Sequence, residues 1–304
     1  HRRSLPAWRR EGGSITTMKV GVIGLGAMGA PMAMNLHRAG LLGAVWNRTR
    51  SRAQALARET GVAMAESPAE LAAGVDFVIT SVSRDADLEE VIQLLLPGVR
   101  PGSVVADTST VSADTARAMA AALKPKGAAF LDCPVSGGVE GARNARLAMM
   151  VGGEEEVLEH IRPALAALAA TIVHMGPSGC GQATKAVNQI MAAGINQAVT
   201  EALAFGESMG LDLTKVIDVV SQGAAANWYL THRAKTMVEG RFAPGFKVAL
   251  HHKDLAICRA MGGGRPLPIV ELTLENYQQL IDRGYGAEDI SALYRIKLEQ
   301  LGAG

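Results

Sequence analysis

The stretch "GVIGLGAMGAPMAMNL", Gly21 to Leu36, sets Gly24, Gly26 and Gly29 between an apolar run and a helical pattern. The run that leads into it, "MKVGVI", reads as a buried strand. The pattern that follows carries Pro31 in its first turn and Gly40 just past its end, the two places where a helix tolerates them. A strand that enters a helix through so tight a turn starts an α/β unit, because the helix must bring the chain back across the sheet. A G-x-G-x-x-G by itself is weak evidence, since close packing of any helix on any strand asks for glycine.

The remainder of the chain supplies the context. From Met18 onward, short apolar runs alternate with helical patterns: "GAVW", "DFVITSV", "SVVADTS" and "AAFLDC" as strands, "SRAQALARET", "DADLEEVIQLLL" and "SADTARAMAAALK" as helices. "SPAELAAG" is a short capping-box helix, with Ser67 as cap, Pro68 at the first helical position, Glu70 three residues after the cap and Gly74 as stop. "LAMMVGG" and "ATIVHMG" form a later strand pair around the helix "EEEVLEHIRPALAAL". The alternation stops near Ser178, and a helical pattern then runs from about Gln182 to Met209. Its apolar residues, among them Val187, Ile190, Met191, Ile195, Val199, Leu203 and Met209, cover most of its circumference, so it is expected to be buried between other elements.

The expected fold is therefore α/β: an N-terminal Rossmann-type doubly wound parallel sheet over residues 18–178, then an all-α C-terminal domain over 179–304, joined by the long helix. Residues 1–17, with four arginines and no core pattern, precede Met18 and are set aside as a disordered tag or extension.

Bulk properties exclude several classes of function. Thirty basic and 29 acidic side chains give a formal net charge of +1, so no broad field draws the molecule to nucleic acid or an anionic membrane. The longest strongly apolar stretch, "PALAALAATIV", is far short of the roughly 20 residues that span a bilayer. Cys133, Cys180 and Cys258 are few, odd in number and without metal-ligand spacing, which suits a reducing, cytoplasmic setting with each thiol as a small buried hydrophobe. His251 and His252 are consecutive and diverge on a helix, a poor metal pair, and no metal is expected. Trp228, in "NWYLTHR", is read as packing. Small molecules remain as partners.

In its strand–turn–helix context the glycine turn reads as a dinucleotide fingerprint, whose backbone N–H groups at a helix start hold a pyrophosphate. About 20 residues on, where NAD-preferring proteins carry an acid for the ribose hydroxyl, the chain has Asn47, Arg48 and Thr49. A guanidinium with amide and hydroxyl neighbours pairs with a 2′-phosphate, so NADP is preferred over NAD. The expected cofactor contacts are Gly24, Leu25, Gly26, Ala27, Met28, Gly29, Asn47, Arg48, Thr49, Val82 and Ser83. The long helix opens with "GCGQATKAVNQ", which puts Lys185, Asn188 and Gln189 on one face at i, i+3 and i+4. A lysine sheltered there is a candidate proton donor for carbonyl reduction, since burial lowers an ammonium pKa.

Four blocks, "GVIGLGAMGAPMAMNL", "DCPVSGG", "GCGQATKAVNQ" and "HHKDLAI", resemble the β-hydroxyacid dehydrogenases, a family that includes 3-hydroxyisobutyrate dehydrogenase and the tartronate, glyoxylate and succinic semialdehyde reductases. The resemblance covers Met18 to about Leu301. It implies hydride transfer between NAD(P) and a short carboxylate-bearing aldehyde or hydroxy acid, with Lys185 as acid/base, in a homodimer or homotetramer. It also implies that Ser136, Gly137 and Gly138 hold the substrate carboxylate, that Thr110 lies near nicotinamide and substrate, that Lys253 approaches the cofactor beside Asp254, and that Phe246 helps close the site. Many members have two asparagines where this chain has Asn188 and Gln189, a variant that resembles the tartronate semialdehyde reductases. A phosphogluconate-type oxidative decarboxylase would need a phosphate pocket, for which Arg233, Arg241 and Arg259 form no recognisable cluster. An imine reductase usually lacks the lysine, and an NADP-sensing scaffold would be marked by loss of Lys185 or of the "SGG" turn.

Overall fold

The structure is a computed structural model, and it describes residues 18–302. The segment 1–17, read above as a tag or extension, lies outside the described residues. The chain divides into two compact units, residues 1–185 and 186–304, so the division falls inside the long helix, past residue 178.

The first unit begins with β1 (Val20–Ile23), α1 (Gly29–Arg38), β2 (Leu42–Trp46), α2 (Arg50–Thr60), β3 (Ala63–Met64) and α3 (Pro68–Gly74). It continues with β4 (Phe77–Thr80), α4 (Asp85–Leu95), β5 (Val104–Asp107), α5 (Ala113–Leu123), β6 (Ala129–Asp132), β7 (Val135–Ser136), α6 (Gly138–Arg143), β8 (Leu147–Gly152), α7 (Glu155–Leu165) and β9 (Ala169–Gly176). The strands lie in the order β3-β2-β1-β4-β5-β6, the doubly wound order, and every pair among these six is parallel. The sheet goes on through β8, which pairs antiparallel with β6 and β7 and parallel with β9. The expected all-parallel sheet is thus corrected at one edge: β6 and β7 both run antiparallel to β8, so the strands that oppose the parallel run are β8 and β9, at the edge beyond β6.

β1, β4 and β5 are buried at every residue, as strands covered on both faces must be. Two apolar clusters flank the sheet, one built on Val22, Met32, Leu36 and Leu131, the other on Ile23, Leu71, Leu88, Ile92 and Leu123. At α3 the Ser67 hydroxyl accepts the Glu70 N–H at 3.1 Å, as the capping box requires. The Glu70 carboxylate reaches back to the N–H of Glu66, one residue earlier than the standard box.

α8 (Cys180–Ser208) runs through the division. The second unit adds α9 (Leu213–Val220), α10 (Trp228–Val238), α11 (Val248–Met261), α12 (Pro268–Asp282) and α13 (Leu293–Leu301), packed on Tyr277, Leu203, Met237, Leu255 and Leu293. The expectation that α8 is covered all round is corrected. Leu203 and Val199 are buried, but Val187, Met191 and Phe205, with Met209 just past the helix end, are each more than half exposed. Together with exposed Ala198 and Ala202 they make one apolar stripe at helical spacing. Trp228 is also 52% exposed, so it is no packing residue; its ring stacks on His232, and the Arg233 guanidinium lies 4.9 Å from its centre. Cys133 and Cys258 are buried as expected, while Cys180 is only half-buried. Among the described residues no helix is long and apolar enough to cross a membrane.

Candidate active site

The three glycines of the first turn have separate jobs. Gly24 has φ +93°, which an L side chain rarely adopts, and a Cβ there would lie 2.0 Å from the Ser81 carbonyl oxygen. A Cβ on Gly29 would lie 1.8 Å from the Gly24 oxygen, so this glycine lets α1 dock on the turn. A Cβ on Gly26 would meet nothing within 4 Å. The protein itself makes no demand for glycine there, and the space in front of the helix start is open, as a turn that approaches a pyrophosphate requires. Leu25 is buried, Gly26 and Met28 are half-buried, and Ala27 is exposed.

The turn is tied to the end of β2. The Gly24 N–H donates to the Trp46 carbonyl at 3.1 Å, and the Leu25 N–H donates to Asn47 Oδ1 at 2.8 Å. Asn47 therefore shapes the turn. Arg48 is exposed and its guanidinium sits 3.1 Å from Asp87 Oδ1 and 3.8 Å from Glu90, an ion pair the sequence reading missed. Beside them lies a hollow of about 180 Å³ lined by Trp46, Asn47, Arg48, Arg50, Ala53, Met64, Ala65 and Glu66. Arg50, which pairs with Glu66, is a second cation there that the sequence reading passed over.

The carboxyl ends of β4, β5 and β6 carry Thr80, Asp107 and Asp132 in register, all fully buried. Asp107 Oδ1 accepts from the Thr80 hydroxyl at 2.7 Å, the Ser109 hydroxyl at 2.6 Å and the Ser109 N–H at 3.3 Å. The Ser109 oxygen in turn accepts the Val82 N–H at 2.8 Å, which fastens the loop after β4 to the loop after β5. Val82 is half-buried, Ser83 exposed and Thr110 half-buried. Burial pushes the Asp107 carboxyl up to about 6, against the donors on Oδ1.

Asp132 has a different partner. Its Oδ1 accepts the Gly179 N–H at 2.8 Å and its Oδ2 accepts the Gln182 N–H at 3.0 Å, so the end of β6 caps the start of α8. Burial raises this carboxyl as well, opposed by those N–H donors. The glycines of "GCGQ" make the approach possible. Gly179 takes φ +91°, and a Cβ on Gly181 would lie 2.5 Å from the carbonyl oxygens of Asp132 and Met150. Asp132, Gln182 and Ser109 were all inside quoted motifs, yet nothing in their spacing announced these long-range partners.

Lys185 follows one turn further along α8. It is 7% exposed, and its Nζ donates to the Val135 carbonyl at 2.9 Å, immediately before Ser136, Gly137 and Gly138. Ser136 ends β7 half-buried, and the two glycines are exposed where α6 begins. An ammonium held on a backbone carbonyl, sheltered from water and beside a glycine turn, can pass a proton to an anion or carbonyl lodged there.

In the second unit, Asn188 Nδ2 donates to Gln189 Oε1 at 2.8 Å, Gln189 Nε2 donates to Asp254 Oδ2 at 2.7 Å, and Lys253 Nζ lies 3.0 Å from Asp254 Oδ1. Asp254 is 4% exposed, which makes this more than a surface ion pair. His251 is fully buried; it donates from Nε2 to the Gln189 carbonyl at 3.0 Å, and its Nδ1 is 3.0 Å from the Tyr277 hydroxyl. The Phe246 ring packs 5.3 Å from the His251 ring, and its N–H is held by Asp289. Arg233, Arg241 and Arg259 each face a separate acid, Asp289, Glu239 and Glu271, and make no common anion site.

Residues 19–176 match the family model for the NAD binding domain of 6-phosphogluconate dehydrogenase, and residues 179–297 match that for the NAD-binding region of NADP-dependent 3-hydroxyisobutyrate dehydrogenase. The chain belongs to the β-hydroxyacid dehydrogenase family. An uncharacterized oxidoreductase of Shewanella frigidimarina is 40% identical over 86% of this chain and 92% of its own length. An NAD-dependent L-serine dehydrogenase of Pseudomonas aeruginosa is 32% identical over 91% of this chain and 97% of its own. The solved structure of Mycobacterium tuberculosis 3-hydroxyisobutyrate dehydrogenase with L-serine superimposes with a TM-score of 0.84 at 32% identity, covering 92% of this chain and 98% of that one. Like the other β-hydroxyacid dehydrogenases, this chain is an NAD(P)-dependent oxidoreductase acting on CH–OH groups, and the open turn at Gly26 fits the cofactor.

Proposed function

We propose that this dehydrogenase interconverts a short 3-hydroxy acid and its semialdehyde, with Lys185 as general acid/base and NADP preferred over NAD. The observation that carries the reading is Lys185 itself: a 7%-exposed lysine whose Nζ is fixed on the Val135 carbonyl at the head of the Ser136-Gly137-Gly138 turn.

When bound, a reduced nicotinamide supplies hydride. Lys185, as the ammonium, gives a proton to the substrate oxygen as negative charge develops there, and its charge stabilises that oxygen before transfer. In the oxidative direction the neutral amine takes the hydroxyl proton. Ser136, Gly137 and Gly138 present hydroxyl and backbone donors to the substrate carboxylate. Thr110 is the substrate-side residue of the loop after β5. Asn188, Gln189, Asp254 and Phe246 are assigned to the substrate, and Lys253 to the cofactor, on the family resemblance and on the chain of two hydrogen bonds and an ion pair from Asn188 to Lys253.

Gly24 to Gly29, Asn47, Thr49, Val82 and Ser83 are assigned to the dinucleotide, and Arg48 to its 2′-phosphate. Self-association as a homodimer or homotetramer belongs to the same proposal, supported by the apolar stripe of α8. A phosphogluconate-type substrate is disfavoured because the basic side chains of the second unit are paired one by one with acids.

The test is a panel of tartronate semialdehyde, glyoxylate, succinic semialdehyde and methylmalonate semialdehyde with NADPH and NADH, and of L-serine and 3-hydroxyisobutyrate with NADP and NAD. Lys185→Ala lowers kcat by about 10²- to 10⁴-fold on whichever substrate turns over, with NADPH affinity intact. Normal turnover in that variant removes the assignment.

A further inference from the structure

Gln182 lies one turn before Lys185 on α8 and is 1% exposed. Both ends of its side-chain amide are taken by the backbone of one loop. Nε2 donates to the Ser109 carbonyl at 2.8 Å, and Oε1 accepts the Val111 N–H at 3.2 Å. These two contacts bracket Thr110. A primary amide carries a donor and an acceptor side by side, as a peptide group does, so Gln182 serves the loop as a strand neighbour would. An apolar side chain of the same size would fill the space and leave a buried donor and a buried acceptor unmet.

The backbone of the same residue is held from another direction, since its N–H donates to Asp132 Oδ2 at 3.0 Å while Gly179 donates to Oδ1. The start of α8 is therefore fixed at three points: the end of β6 through Asp132, the loop after β5 through the Gln182 amide, and the carbonyl of Val135 through Lys185. Ser109 carries the connection onward, because its hydroxyl donates to Asp107 and accepts from Val82. Nothing in the helix alone requires this; a local serine or threonine cap would satisfy the helix start without reaching the loop.

We infer that Gln182, seated by Asp132, is a positioning residue that sets the Lys185 amine in register with the Ser109–Val111 loop, and so with Thr110. The inference rests on the reading of Lys185 as the acid/base. Its geometric part is independent of turnover.

The experiment compares the full chain as wild type, Gln182→Met, Lys185→Ala and the double variant. Methionine keeps the length of the side chain and removes both hydrogen bonds. By amide hydrogen exchange, Val111 exchanges about tenfold faster or more in Gln182→Met and is unchanged in Lys185→Ala. On the panel substrate that turns over, Gln182→Met lowers kcat by about 10- to 100-fold with the KM for NADPH within about twofold, the cost of a small misplacement of a reacting group. Placed on Lys185→Ala, the same substitution changes the residual rate by less than about twofold, because there is no amine left to position.

Unchanged Val111 exchange, unchanged kcat, or an equal loss in both backgrounds overturns the inference. Failure of the Lys185 reading looks different: normal turnover in Lys185→Ala with wild-type exchange at Val111. If Gln182→Met does not fold, Gln182→Glu retains the acceptor for Val111 and loses the donor for Ser109 as the carboxylate. It then gives a kcat loss of about tenfold that shrinks as the pH is lowered and the carboxyl regains a proton. A loss in Gln182→Glu that does not vary with pH overturns the inference equally.

Discussion

Asp107 and Asp132 stand opposite each other at the carboxyl ends of β5 and β6, both with no exposed surface. Equal in register, they differ in what completes them. Each oxygen of Asp132 receives a backbone N–H from the start of α8. In Asp107 all the donors converge on Oδ1, and Oδ2 is buried with no hydrogen-bond partner. A carboxylate left half satisfied in a dry place holds its proton more tightly, and burial pushes Asp107 up to about 6.

The sign of the pH effect follows. Because the folded-state value lies above the ordinary 3.8, the folded protein binds this proton more strongly than the unfolded chain. The stabilisation is complete below about 4 and is lost as the pH rises through about 6, with a ceiling of about 3 kcal/mol at roughly 1.4 kcal/mol per pH unit. Urea unfolding at pH 5 and pH 8 should show the wild type losing more stability over that interval than Asp107→Asn. The constant cost of the amide cancels in the comparison. Parallel pH profiles for the two proteins contradict the assignment.

The glycines of the first turn separate stability from binding. In Gly29→Ala the new Cβ meets the Gly24 carbonyl, backbone that cannot yield, and the expected loss is about 1–3 kcal/mol. Gly26→Ala meets nothing in the protein. Its melting temperature should stay within about 2 °C of the wild type, while the Kd for NADPH rises about tenfold or more. Calorimetry and a fluorescence titration of both variants check the pair; an unaltered Kd in Gly26→Ala would mean that the pyrophosphate lies elsewhere.

These contrasts also show where the sequence was legible. β1, the glycine turn and α1 were readable because every signal was local: an apolar run, a tight turn, a helical period. α3 was readable for the same reason, from Ser67, Pro68 and Glu70. The two-residue strands β3 and β7 and the short α6 were not, since they are too short for a period and exist through their neighbours. The helical period of α8 gave its extent, but periodicity cannot tell a helix covered by its own chain from one that leaves Val187 and Met191 bare. At the candidate site, Lys185 stood out as a charge on an apolar pattern. Gln182 and Asp132 did not, because their partners lie 73 and 50 residues away and neither spacing recurs in any local motif.

The proposed preference for NADP is tested at Arg48. Its ion pair with Asp87 involves a guanidinium that is 71% exposed, and such pairs are worth about 1 kcal/mol or less, so a phosphate dianion can replace Asp87 at little cost. Arg48→Ala should lower kcat/KM with NADPH by about 10- to 100-fold and change the NADH value by less than about threefold. Steady-state kinetics with both coenzymes reads the ratio directly. If the ratio does not move, Arg48 does not read the 2′-phosphate, and Arg50, which lines the same hollow, is the next cation to test.

Gln189 supplies the last test, because its length decides which groups it joins. Its Nε2 reaches Asp254 at 2.7 Å while its Oε1 accepts from Asn188, so the one amide spans α8 to α11. Asparagine, one methylene shorter, cannot hold both contacts from the same backbone position. Asp254 is 4% exposed and would lose a donor in Gln189→Asn, at a cost of about 1–3 kcal/mol in stability. Its other oxygen keeps the Lys253 ammonium at 3.0 Å, so the side chain is not left without a partner and the variant should still fold. If the chain from Asn188 to Lys253 orients the substrate, the KM for the aldehyde should rise about tenfold and the order of preference within the panel should change, with the KM for NADPH within about twofold. Should Gln189→Asn lose stability yet keep its aldehyde KM and its order of preference, the chain is a brace between two helices and the substrate is read by other residues.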